Sequence, residues 1–134
     1  MSRRTILACL CIVTAFQTLF GSDVVSGSAF FNFTAKQLKR LEFEAKSGNK
    51  AACVDLADFY MLAKNDFKSA ARWWKVLADS GDVDGIYGVG YCLMRSGNFE
   101  AGRKWLLVAK ERHSPHADGA LKELSERERN DRRR

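Results

Sequence analysis

One proline in 134 residues is the scarcest commodity in this chain. All-β proteins need more turn punctuation than that, so the lack favours helices. Charge of one sign is scarce as well: the formal net charge is only +6, with the excess gathered at the ends, from Lys36, Lys39 and Arg40 to Arg132–Arg134. That reads as solvated helix ends, not as a nucleic-acid surface. Histidine occurs twice, at 113 and 116, and with only Asp118 close by the pair falls short of a metal site. No Ser–His–Asp or Cys–His arrangement stands out. The glycines of DGIYGVG (84–90) are in the wrong order for a dinucleotide loop, and no strand precedes them. Asp79, Asp82 and Asp84 lack the spacing of a calcium loop. Asp55 and Asp58 lie one turn apart, but an open helix face does not supply the unequal environments an acid–base pair needs. The expectation is therefore no catalytic residue, no metal, no cofactor and no small-molecule substrate. On the same grounds the chain is not expected to be an enzyme, and a metal recovered with the pure protein at one equivalent would revive that class.

Apolar residues, by contrast, are plentiful. They make up 46% of the chain, with 9 Phe, 3 Trp and 3 Tyr among them, which is too many for a disordered polymer. The first 29 residues stand apart. Arg3 and Arg4 precede an uncharged run from Thr5 to Phe20, and small residues follow up to Ala29. A basic start, an apolar middle and a small-residue end are the plan of a secretory signal peptide, with cleavage expected after Ala29. The run is shorter than the ~20 apolar residues of a bilayer-spanning helix, although an uncleaved membrane anchor stays open. The chain is thus expected to divide into a signal peptide (1–29), a helical domain (30–128) and a basic tail (129–134), and to reside in the periplasm or outside the cell. Two of the four cysteines leave with the signal. Cys53 and Cys92 remain, both on apolar helical faces where a buried free thiol is the commoner state. Cys53 sits near the start of its helix and Cys92 near the end of its own, so parallel neighbours would hold them apart. A disulfide in an oxidising compartment remains the alternative.

The organising feature is a repeat. At an offset of 33, Ala45, Ser47, Gly48, Ala52, Leu56, Ala57 and Tyr60 correspond to Ala78, Ser80, Gly81, Gly85, Val89, Gly90 and Leu93. This spacing marks one face of an α-helix. At an offset of 32, Phe67, Ala70, Trp73 and Val76 correspond to Phe99, Gly102, Trp105 and Val108. Asp66 and Asn98 are placed as N-caps, and Gly81 as a helix terminator. The one-residue change of offset is expected in a loop. Each unit is helix, turn, helix, turn, and one such hairpin cannot bury its apolar face without stacked neighbours. Residues 34–48 align with the second helix of the unit and serve as a front cap, with Leu41 at Trp74, Phe43 at Val76 and Ala45 at Ala78. Pro115 suits a helix start, and Ala117, Ala120, Leu121 and Leu124 form the stripe of a closing helix. Six helices are expected, at about 34–46, 49–63, 66–79, 83–95, 98–112 and 115–128. Trp73 and Trp105 belong to the core, and Trp74 is expected to face the preceding hairpin. The glycines of 84–90 are expected to serve close helix packing.

These residues resemble the Sel-one-like repeat family, relatives of tetratricopeptide repeats. Ala45, Gly48, Ala52, Leu56, Ala57 and Tyr60 match the first half of the family signature, with alanine where the family prefers glycine. Asp66, Ala70, Trp73, Ala78 and Gly81 match the second half. The next copy, with Gly85, Val89, Gly90, Leu93, Asn98, Gly102, Trp105 and Ala109, fits more weakly. The family's glycine-rich loop between the two helices is shortened to MLAKN (61–65), which brings the period nearer the ~34 residues of tetratricopeptide repeats. The resemblance covers about residues 34–124. It implies an all-α fold, a short right-handed α-solenoid of about three helix-turn-helix repeats, and a binding or scaffolding role on the concave face.

In the related tetratricopeptide pattern, ligand-facing side chains project from fixed positions of each first helix. The resemblance places these at Val54, Asp58, Met61 and Leu62, then at Asp84, Tyr87, Tyr91, Met94 and Arg95. The residues agree in part: Asp58 and Tyr91 lie off the packing stripe, and Tyr87 and Tyr91 are four apart on one face. Two tyrosines, a methionine and an arginine on one surface make an interface anchor. The competing reading packs both tyrosines against the third hairpin. The expected function is an exported adaptor or scaffold holding one protein partner, with no nucleic acid, and with membrane contact only if the N-terminal segment is retained. An immunity protein or inhibitor that neutralises one toxin or enzyme is the alternative.

Overall fold

The structure, a computed structural model, describes residues 32–134. The expected signal peptide and its cleavage point lie outside the described residues. Among the described residues six α-helices follow one another: α1 Ala35–Lys46, α2 Lys50–Asp58, α3 Phe67–Asp79, α4 Val83–Arg95, α5 Phe99–Glu111 and α6 Ala117–Asp131. No strand occurs among the described residues. The fold is all-α, a short solenoid whose helices pack in sequence, each on the next.

Local chemistry sets the boundaries. Thr34 accepts from the Gln37 amide while the Gln37 side chain accepts from the Thr34 amide, a capping box that opens α1. Asn49, Asp66, Asp82 and Asn98 open the next four helices, each accepting from the amide three residues on at 3.0–3.3 Å. Three of these caps belong to a recurrent triplet, Ser47-Gly48-Asn49, Ser80-Gly81-Asp82 and Ser96-Gly97-Asn98. In each, the glycine is left-handed, with φ between 85° and 88°. The residue after it returns its amide to a carbonyl of the finished helix, as Asp82 does to Leu77 at 3.2 Å. One triplet thus closes a helix by a Schellman turn and caps the next. His113, with φ 62°, takes the glycine's place after α5. Helix α6 begins two residues past Pro115 and runs to Asp131, three residues into the segment expected to be a charged tail.

The one-residue difference between the two repeat copies is not left to a loop. Six positions separate Tyr60 from Asp66, whereas five separate Leu93 from Asn98. The extra residue is absorbed in a π-helical turn, Phe59–Ala63, which continues α2; the Lys64 amide reaches back five residues to the Phe59 carbonyl at 3.2 Å. Widening the last turns of a helix accommodates an insertion without breaking its hydrogen-bond ladder.

Buried residues run the length of the stack. Ala45, Ala52, Cys53, Leu56 and Leu77 fill the seam of α1–α3. Ala78, Ile86, Val89, Ala109 and Ala117 fill the next. Met94, Leu106, Ala120 and Leu124 close the far end. Trp73 and Trp105 are half-buried, packed against these clusters, so they flank the core instead of filling it. Phe43 of the front cap is 77% exposed, so its alignment with half-buried Val76 does not carry over to packing. Glycines let α4 sit close to its neighbours. A Cβ on Gly85 would stand 2.5 Å from the Ala78 amide nitrogen, and one on Gly90 2.9 Å from Leu106.

Candidate functional site

α2 and α4, the first helices of the two hairpins, are tied at both ends. At their N-terminal ends Lys50 bridges Asp82 at 2.7 Å and Asp84 at 3.1 Å. Near their C-terminal ends the Cys92 thiol meets the Met61 sulfur at 3.5 Å. Between these ties the helices leave a cleft of about 350 Å³, lined by Val54, Met61, Trp74, Asp84, Tyr87, Gly88 and Tyr91.

Five residues chosen from the sequence therefore meet in one place: Val54 and Met61 on one wall, Asp84, Tyr87 and Tyr91 on the other. The remaining four are placed differently. Asp58 lies on the same side of α2, four residues after Val54 and three before Met61, and is partly buried. Leu62 is 65% exposed and does not line the cleft. Met94 is fully buried against Leu106, Ala120 and Leu124, so it is a core residue and not an anchor. Arg95 supports the wall from behind: it donates to the Tyr91 hydroxyl at 2.8 Å, and its guanidinium lies over the Phe67 ring at 4.9 Å.

Both readings of the tyrosines hold in part. Tyr87 and Tyr91 stack on each other with centroids 5.9 Å apart. Each packs on the α4–α6 cluster while also lining the cleft, and Tyr87 further meets His116 at 5.6 Å. Rings fixed on one face by neighbours lose little freedom on binding, the property that makes tyrosine a good anchor.

Two lining residues escaped the sequence reading. Trp74 packs back on the α1–α3 cluster, as expected, and also forward on α4, with its indole against Gly88. A Cβ at Gly88 would come within 2.3 Å of the ring. The tryptophan forms the floor, and its buried indole N–H has no hydrogen-bond partner. The signal was present in Gly88 itself, since a helix-interior glycine that is not a cap marks a close approach.

The electrostatics are unequal along the cleft. Burial, then the neighbouring Asp55 carboxylate, pushes the Asp58 carboxyl above its usual range, and no hydrogen bond or ion pair reaches it. This corrects the expectation that Asp55 and Asp58 share one open environment, because Asp55 is exposed and Asp58 is not. Burial, then Asp58, pushes the Cys92 thiol up to about 12. Cys53 and Cys92 are both buried free thiols, in separate clusters. No group of three or more His, Cys, Asp or Glu side chains among the described residues is arranged to hold a metal ion. No helix among them is long and apolar enough to cross a membrane.

A second hollow, of about 420 Å³, lies among Glu42, Lys46, Tyr60, Arg72 and Trp73 of α1, the π turn and α3. Glu42, Lys46 and Arg72 edge it, so more of its lining is polar than in the α2–α4 cleft. Comparison with protein-family models, curated proteins and solved structures finds no match to this chain.

Proposed function

We propose that this chain is an exported protein–protein interaction module of Sel-one-like type, an adaptor or scaffold that seats one segment of a protein partner in the cleft between α2 and α4. The observation that carries this reading is convergence: Val54, Met61, Asp84, Tyr87 and Tyr91, spread over 38 positions of chain, line one cleft. At about 350 Å³ the cleft lies at the small end of ligand pockets, which run from about 300 to 1,000 Å³. It suits one or two anchoring side chains better than a long peptide. Its walls are a thioether, a valine and aromatic rings, and tryptophan and tyrosine are among the residues that dominate binding energy at protein interfaces. Recognition is by equilibrium binding to a preformed surface, with no chemical step.

The test is affinity capture of a partner from source extract by the full chain, repeated with Tyr91→Ala and Met61→Glu. The second variant places a carboxylate in the cleft wall. Loss of capture by both, with helical circular dichroism retained, is the expected result; undiminished capture by both places the interface elsewhere. A single tight partner whose active site is blocked in the complex would mark the inhibitor role instead of the adaptor role.

A further inference from the structure

The charges around the cleft say more about its occupant. Asp58 sits on the cleft side of α2, between two lining residues, partly buried and unpaired. The cations that could neutralise it are engaged elsewhere. Lys50 holds Asp82 and Asp84, Arg95 is stacked on Phe67 and bonded to Tyr91, and Lys64 lies over the Phe59 ring at 5.4 Å. Asp55 adds a second negative charge one turn before Asp58, and at the opposite wall one lysine, Lys50, is shared by two carboxylates, Asp82 and Asp84, which leaves net negative charge there. The apolar cleft is therefore edged by carboxylates on a chain whose net charge is +6. A partly desolvated carboxylate without a counter-charge costs stability in the free protein. An incoming cation would offset that cost and would be steered by it.

We infer that the occupant is a basic amphipathic protein segment, with one large apolar side chain seated between Val54, Met61, Tyr87 and Tyr91 and a lysine or arginine next to it on Asp58. This rests on the cleft being the binding site, as proposed above. An acidic segment would meet this negative charge and is disfavoured. A neutral segment would leave Asp58 buried more deeply and still unpaired.

The experiment is panning of a random twelve-residue peptide library on the full chain, followed by anisotropy titration of a labelled winner. Winners are expected to place Lys or Arg within four residues of Trp, Phe, Leu or Met. Changing that basic residue to Gln is expected to weaken binding roughly tenfold, the scale of one charge-assisted hydrogen bond. Asp58→Asn, nearly isosteric, is expected to cause the same loss, and the two changes together no more than either alone. Acidic or neutral winners, or losses that add in full, overturn the inference. Binding abolished by Met61→Glu but indifferent to Asp58→Asn overturns the cation alone and leaves the cleft standing. Binding indifferent to Met61→Glu, or no winner at all, overturns the cleft as well. Self-association in sedimentation that Tyr87→Ala abolishes would name a second copy of the chain as occupant and overturn the basic segment.

Discussion

The two hairpins share a pattern and differ in how closely they are built. In the first, Ala52 and Ala57 occupy the small-residue positions of α2, and the helix ends in a π turn. In the second, Gly85 and Gly90 occupy the same positions of α4, and a Schellman turn at Gly97 ends the helix without an insertion. Glycine brings the α4 backbone against Ala78 and Leu106, where alanine could not fit. The second hairpin is therefore the closely fitted half, and its first helix presents Tyr87 and Tyr91 on a firm backing of α6 and Arg95. The first hairpin offers a flexible thioether instead of packed rings, and its extra residue lies in the π turn that brings Met61 to the cleft. A repeat whose copies were identical would have two equal walls. The departures from identity are what make one wall firm and the other adjustable.

Exchanging the small residues should break this contrast most severely. Gly85→Ala sets a Cβ 2.5 Å from the Ala78 nitrogen, where backbone cannot yield, and is expected to cost about 3 kcal/mol by chemical denaturation. The reverse change in the other copy, Ala52→Gly, is expected to cost nearer 1 kcal/mol, mainly through chain entropy. Gly88→Ala comes next. The obstacle there is the Trp74 side chain at 2.3 Å, which can shift into the cleft, so a loss of about 2 kcal/mol is expected. Partner binding should fall with it, read by anisotropy with a selected peptide. Deletion of Leu62 would equalise the two copies and turn the π turn into an ordinary helix end. Because Leu62 is 65% exposed, the stability change is expected to stay within about 1 kcal/mol. The Met61 wall would move, and binding should be lost with little loss of helix in circular dichroism.

The smallest effect is the most diagnostic. A carboxyl whose folded pKa is raised above its unfolded value favours the fold only in its protonated form, so ionised Asp58 weakens the fold near neutral pH. Asp58→Asn is therefore expected to stabilise the protein at pH 7, by less than about 1 kcal/mol given partial solvent exposure. The gain should vanish as pH falls through the ordinary carboxyl range. A variant that is more stable yet binds less well is the signature of a site where function was retained at the expense of stability.

Much of this architecture was legible because it rests on local chemistry. Asp66, Asn98 and Gly81 act as caps and terminator through bonds to their own neighbourhoods, and such bonds are written in a few adjacent residues. The helix-interior glycines showed close packing for the same reason. What escaped depends on tertiary choice. The change of offset announced an extra residue, but whether it would form a loop or a π turn depends on how α2 meets its neighbours. Met94 and Leu62 occupy positions that face a ligand in the resembled pattern, yet here Met94 fills the α4–α6 seam and Leu62 points to solvent. Trp74 touches both hairpins, and its contact with α4 needs the missing side chain at Gly88.

The Trp74–Gly88 contact reports directly on how the two hairpins stack, and nuclear Overhauser spectroscopy can read it in the full chain. The expected result is strong cross-peaks between the Trp74 indole protons and the Gly88 α-protons, retained in Asp58→Asn and lost in Gly88→Ala. Cross-peaks from Trp74 to α1 or α2 residues alone, with none to Gly88, would contradict the account.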